Sequence, residues 1–353
     1  MPANNVWVTH RFGGGWATDF GPTFYGAPER DGSLIVPFLV NARNLVYEFD
    51  GGPHKAPGST PFNTTTLGAS ADVRGLFDYW RQGTAGSPSQ RIMAAVDTRL
   101  VQAQISEVAF TNVLTGLNGS AVPQFSAFDD FLIFANDSVA DVPRSWDQTT
   151  AQNLAGSPPN FSFSIPHKNR QWAAGVYANP SRLYYSVNLD PEDWTGAGSG
   201  SIDIAPNDGD LITGLISHKN DLWVFKGPYT GSIHRITGSA PTGSDAYARI
   251  PFIRGLGAAW INGIFRYSDD IGFVSPRGTV HSLAATAAFG DFNQSYLSYP
   301  INSYLRTELA HSRMRQVWAV NDPWTGNVLI SATPSGASTN TRTLYMDYRF
   351  LAA

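Results

Sequence analysis

Leu211-Ile212-Thr213-Gly214-Leu215-Ile216, then His218-Lys219-Asn220, then Leu222-Trp223-Val224-Phe225, reads as two apolar strands joined by a short polar turn. The same tripeptide occurs earlier. His167-Lys168-Asn169 follows the alternating run Phe161-Ser162-Phe163-Ser164-Ile165 and leads toward Leu183-Tyr184-Tyr185-Ser186-Val187. A polar tripeptide between Leu-, Ile- and aromatic-rich segments is the pattern of a hairpin. Looser copies run from Phe125 to Phe134 with turn Asp129-Asp130, from Ile264 to Val274 with turn Asp269-Asp270, and from Val317 to Ile330 with turn Asn321-Asp322-Pro323. An earlier one spans Val73 to Val101.

Units therefore begin near Val73, Gln124, Phe163, Ile212, Ile264 and Gln316, about 39 to 52 residues apart, which matches the period of propeller blades. A single unit leaves one sheet face bare, so the units must stack until the faces cover one another. The expected fold is all-β, a β-propeller of about six blades, with paired β-sandwiches as the rival. The expected layout is an N-terminal arm over residues 1–30 and one propeller domain over 31–353. Strands within Leu34 to Phe49 are expected to pair with the last blade around Leu344 to Tyr348. No segment shows sustained 3.6-residue periodicity; Ser70 to Arg81 is the best helical candidate, and Val73 to Trp80 reads as an aromatic strand instead. Thr149 to Asn160, Gly196 to Gly200 and Gly238 to Ser244 read as surface loops.

Composition fits this reading and narrows function. Charged residues are 15% of the 353, below the usual ~25%. With 34 Gly, 23 Pro and 13% aromatics, the chain has the makeup of short strands and tight turns. Net charge is −4 with no basic block, against a nucleic-acid reader. The absence of Cys removes disulfides, thiolate metal sites and Cys nucleophiles. Met1 to Phe20 lacks the apolar run of a signal peptide, and Leu34 to Val40 is broken by Pro37, so neither export nor membrane insertion is expected.

Catalytic signatures are missing. No Gly-x-Ser-x-Gly elbow occurs, and Gly196 to Ser201 has the composition without the spacing. Gly255-Leu256-Gly257 lacks the third glycine of a dinucleotide loop. Seven His include no pair with metal-binding spacing. Asp203, Asp208 and Asp210 concentrate carboxylates as a calcium loop would, but in an order unlike an EF-hand, and Asn207-Asp208-Gly209 is also a turn builder. Ser268-Asp269-Asp270-Ile271-Gly272 imitates half of a sialidase Asp turn without its Thr-Trp. Asn63, Asn118, Asn136, Asn160 and Asn293 stand in glycosylation acceptor triplets. No catalytic, cofactor or metal residue is assigned, and no enzyme activity is expected.

One chain of motifs carries a family likeness. Pro180-Ser181-Arg182-Leu183-Tyr184-Tyr185-Ser186, Asp190-Pro191-Glu192-Asp193-Trp194, Gly200-Ser201-Ile202-Asp203-Ile204, Asn207-Asp208-Gly209-Asp210-Leu211 and Leu222-Trp223-Val224-Phe225-Lys226 together resemble bacteriophage virion proteins of the β-propeller tail class. The opening Phe12-Gly13-Gly14-Gly15-Trp16-Ala17-Thr18-Asp19 resembles their start. The match is strongest over residues 165 to 285. It implies a tail component like the nozzle and hub proteins of short-tailed phages, forming a homo-oligomeric ring of six copies around the genome channel. Implied partners are adjacent tail or adaptor proteins, with DNA passing only passively, and the implied location is the virion, assembled in the host cytoplasm. Many such proteins are longer than this chain, which leaves the position in the tail open. The alternative is a glycan-binding or glycoside-cleaving propeller at the host surface, with Trp80, Trp146, Trp194, Trp260 and Trp324 as sugar-stacking candidates; a cellular scaffold propeller is the third reading.

Overall fold

The computed structural model describes residues 45–47, 53–55, 62, 67, 72–83, 88–107, 109–289 and 296–348. The fold is an all-β propeller of six small antiparallel sheets. A short ribbon comes first, β1 (Leu45–Tyr47) paired with β2 (Pro53–Lys55). Sheet one is β3 (Val73–Arg81), β4 (Ser89–Val96), β5 (Arg99–Gln104) and β6 (Thr111–Leu114). Sheet two is β7 (Pro123–Phe128), β8 (Phe131–Asn136), β9 (Arg144–Trp146) and β10 (Ala151–Asn153). Sheet three is β11 (Phe163–His167), β12 (Arg170–Ala174), β13 (Arg182–Tyr185) and β14 (Gly200–Asp203). Sheet four is β15 (Leu211–His218), β16 (Asp221–Gly227), β17 (Ser232–Thr237) and β18 (Ala248–Arg254).

Two three-stranded sheets follow: β19 (Ile264–Tyr267), β20 (Asp270–Val274) and β21 (Val280–Ser282), then β22 (Trp318–Asp322), β23 (Asn327–Ala332) and β24 (Arg342–Asp347). Between them, among the described residues, lie two α-helices, α1 (Leu283–Phe289) and α2 (Asn302–Glu308). Every described sheet is a meander in chain order, and each first strand begins within two residues of the position read from the sequence. The chain divides into two compact units, residues 61–264 and residues 1–60 with 265–353.

Within residues 61–264 the first strands lie side by side, β3 against β7, β7 against β11 and β11 against β15. The second strands show why. β12 is buried along its whole length, and its alternate residues enter different cores. Trp172 and Ala174 join Ile212, Leu215, Leu222 and Val224 of sheet four, whereas Ala173 joins Ile133 and Ala135 of sheet two. β8 does the same one step earlier: Leu132 and Phe134 meet Tyr79 and Met93 of sheet one, while Ile133 and Ala135 face Phe161 and Ala173. Strands buried on both faces read as continuous apolar runs rather than alternation.

The repeated tripeptides build the hairpins. Lys168 and Asn169 have φ of 46° and 59°, Lys219 and Asn220 of 47° and 66°, and each pair links strands in direct register, His167 opposite Arg170 and His218 opposite Asp221. Two consecutive left-handed residues make the turn whose twist matches paired strands.

Several expectations need correction. Thr149 to Asn160 contains β10, not only loop. Gly196 to Ser199 is the expected loop, held by the Gly196 amide donating to Asp193 Oδ1 at 2.8 Å and Ser199 Oγ donating to Gly196 O at 2.8 Å, while Gly200 already opens β14. The helices α1 and α2 went unforeseen because seven residues hold barely two turns of periodicity. The expected arm, residues 1–30, lies outside the described residues, as does most of Leu34 to Phe49; its described part, Leu45–Tyr47, pairs with Pro53–Lys55.

Trp172 is fully buried, its ring 4.8 Å from that of Tyr247 and 5.0 Å from that of Tyr185, and its Nε1 donates to His167 O at 3.1 Å. Trp324 is 95% exposed. Trp172→Ala is expected to cost about 3–5 kcal/mol through cavity formation, and Trp324→Ala within about 0.5 kcal/mol of nothing. Guanidinium denaturation of both variants checks the contrast.

Candidate functional site

The motif-bearing segment folds as the joint between sheets three and four. At its centre the Lys226 ammonium, on the last apolar strand of the motif chain, is completely buried. It donates to Asp208 Oδ1 at 2.7 Å, to the carbonyls of Ile204 and Ala205 at 2.8 Å each, and to Ser181 Oγ at 3.1 Å. A buried ammonium needs this set of oxygens, since a charge left without partners is expensive. Two residues on, the Asp210 carboxylate accepts from three successive amides, Tyr229 at 2.7 Å, Thr230 at 3.1 Å and Gly231 at 2.7 Å. Asp203, the third carboxylate, forms a forked pair with Arg182 at 2.7 and 3.1 Å, which holds its carboxyl below the usual range. The three candidate calcium ligands thus serve three separate partners.

Gly257 closes the joint from the other side. A Cβ there would stand 1.8 Å from the Lys226 carbonyl oxygen, so only glycine fits. The glycine that suggested half a phosphate loop serves close backbone packing.

Other sequence candidates resolve into structure. Asp270 accepts from Tyr267 Oη at 3.0 Å, from Ser282 Oγ, and from the Ala284 amide at 3.1 Å as α1 begins, which is a turn anchor. Asn136 is buried and donates to Asp141 Oδ2 at 2.5 Å and to Asn118 O, which removes it as a glycan acceptor. Asn63 and Asn293 lie outside the described residues. Trp146, Trp194 and Trp260 are buried in the cores, contrary to their candidacy as sugar platforms; of that set Trp80 and Trp324 are exposed.

At one end of sheets three and four a cleft of about 480 Å³ opens. Lys168, Asn169, Asn188, Asn220, Asp221, Gly238, Ser239 and Asp245 line it, and the two repeated turns supply three of them. Lys168 Nζ donates to Gly238 O at 2.8 Å, Ser239 Oγ to Asp245 Oδ2, and the Leu189 amide to Asn169 O at 2.6 Å. Asp221 pairs with Arg235 at 3.6 Å. Asn188 and Asp245 come from loops whose approach no local pattern announces. Lys226 did carry a signal, a cation ending an otherwise apolar strand.

Two buried histidines lie in these sheets, His167 beside the cleft and His234 near Lys226. His167, in the first turn, is buried with Nδ1 at 2.8 Å from Ser217 Oγ, and burial, then the Lys168 charge, pushes its pKa down to about 4. His234, 3.0 Å from Ser232 Oγ, is pushed to about 4 by burial, then by Arg249. Both folded values lie below the unfolded value near 6.5, so the unfolded chain binds protons first as pH falls. Stability is whole above about pH 6.5 and is expected to drop by up to about 6 kcal/mol toward pH 4, with a His167→Asn, His234→Gln variant showing a flatter profile in denaturant titrations.

Lys226→Met is expected to cost about 3 kcal/mol by leaving Asp208 and two carbonyls unmatched, whereas Arg182→Ala, which breaks an exposed pair, should cost under about 1 kcal/mol. Urea midpoints of the two variants measure the difference.

No family model matches the chain, and no curated protein matches its sequence. Among solved structures, a chain of a nidogen/laminin complex is similar at 9% identity and TM-score 0.41, over 69% of this chain and 85% of that one. The extracellular domain of a hybrid two-component system from B. thetaiotaomicron is similar at 8% identity and TM-score 0.47, over 86% of this chain and 37% of that one.

Proposed function

We propose that the chain is a non-enzymatic structural component of a bacteriophage tail, forming a homo-oligomeric ring around the genome channel and docking other virion proteins through loops at the blade ends. One observation carries the reading: the segment that resembles the tail class contains, in Lys226 and its oxygen partners, the lock between sheets three and four. Lys226 of sheet four binds Ser181, Ile204, Ala205 and Asp208 beside sheet three, while Arg182 and Asp203 pair across sheet three and Asp210 pins the β16–β17 turn of sheet four. A segment given over to holding blades rigid suits a load-bearing part.

Sparse charge supports the same reading, because charged side chains are depleted where subunits cover one another. A net charge of −4 suits a conduit that lets DNA slide, since phosphate is gripped by cationic surfaces. The copy number of six comes from the resemblance alone. Ring contacts are heterologous, so the rotation between neighbours must close.

Purified particles are expected to contain the chain in stoichiometric amounts, and electron microscopy is expected to place it as a ring on the tail axis. Particles lacking it by mass spectrometry, or isolated copies away from the axis, would remove the tail-ring reading.

A further inference from the structure

The geometry points to a saccharide site in the cleft between the two His-Lys-Asn turns, built for a neutral ligand rich in hydroxyls. The motif that recurs in the sequence is not needed twice for hairpin formation alone; other sheets turn on Asp129-Asp130 and Ser268-Asp269. Its two copies bring Asn169 and Asn220 to the rim of one cavity, where Asn188 joins them.

None of these three side-chain amides hydrogen-bonds to another described residue, and each offers a donor and an acceptor. Asp221 and Asp245 add acceptors, and Lys168 a donor. Such a lining matches hydroxyls, which both donate and accept. It offers an anion no net positive charge, since Asp221 and Asp245 balance Lys168 and the Arg235 that pairs with Asp221. The volume lies in the range that holds small ligands, yet the walls are polar where most such sites are apolar.

The site is preorganised. Both Asn residues on the turns sit in the left-handed region, and Lys168 ties the first turn to the Gly238 carbonyl of the opposite loop. Fixing the turn backbones before binding reduces the entropy lost on association. Leu189, next to Asn188 and 68% exposed, supplies apolar surface at the edge for the C–H face of a sugar ring. The inference is independent of the tail reading: virion content tests that one, and binding by the purified chain tests this one.

The experiment is saturation-transfer NMR on the full chain with glucose, galactose, N-acetylglucosamine and their disaccharides, up to tens of millimolar. Transfer to ring protons of at least one is expected. An N169G/N188A/N220G variant, in which glycine preserves both turn conformations, is expected to bind at least tenfold more weakly with an unchanged melting temperature. An N169D/N220D variant, which keeps side-chain shape but replaces the two amide donors with charged acceptors, is expected to weaken binding as well. No transfer from any of these sugars overturns the inference, and so does binding that survives in both variants, which would place it elsewhere, as at Trp80 or Trp324.

Discussion

A strand whose neighbouring side chains are all apolar has no wet face to offer, and that constraint shapes residues 61–264. β12 carries Trp172, Ala173 and Ala174 in succession, and β8 carries Leu132, Ile133, Phe134 and Ala135. Period-2 geometry sends adjacent residues to opposite faces. Each sheet must then find a second sheet on either side, and a succession of sheets sharing faces is the arrangement that provides it. A two-layer sandwich, which leaves one face of each sheet in water, would strand Ala173 or Trp172 there.

Apolar contact alone would let such sheets slip, because oil-like faces are tolerant of register. Lys226 removes that freedom between sheets three and four. Its four oxygen partners come from the loop leaving β14 and from Ser181 before β13, so displacement of one sheet breaks a charged network in a dry place. Asp210 applies the same logic to the β16–β17 turn through three amides. Specificity here rests on a few buried polar groups set among many exchangeable apolar ones.

The blade starts were legible because strand, turn and strand recur with fixed chemistry, and the Lys-Asn turns announce themselves through residues that tolerate positive φ. Asp203, Asp208 and Asp210 were legible as a cluster but not as three unrelated anchors, since each partner lies about 20 residues away in sequence, except that Lys226 hinted at its own need for a counter-charge. Exposure of tryptophan was not legible: Trp260 and Trp324 look alike in sequence, and only tertiary packing separates 2% from 95% exposure. The cleft was half legible, since the two turns stand out, but Asn188 and Asp245 arrive through loops whose path depends on the sheets beneath.

The shared faces also set a timetable for synthesis. β8 leaves the ribosome before sheet three exists, so Ile133 and Ala135 stay bare until Phe161 and Ala173 follow. Each newly formed blade presents a sticky flank to the next and to any other nascent chain nearby. Translation pauses that fall between sheets would prolong that exposure, while pauses within a sheet would interrupt only short local hairpins. Codon choice near residues 137–160 therefore bears on soluble yield in a way that no feature of the finished molecule records.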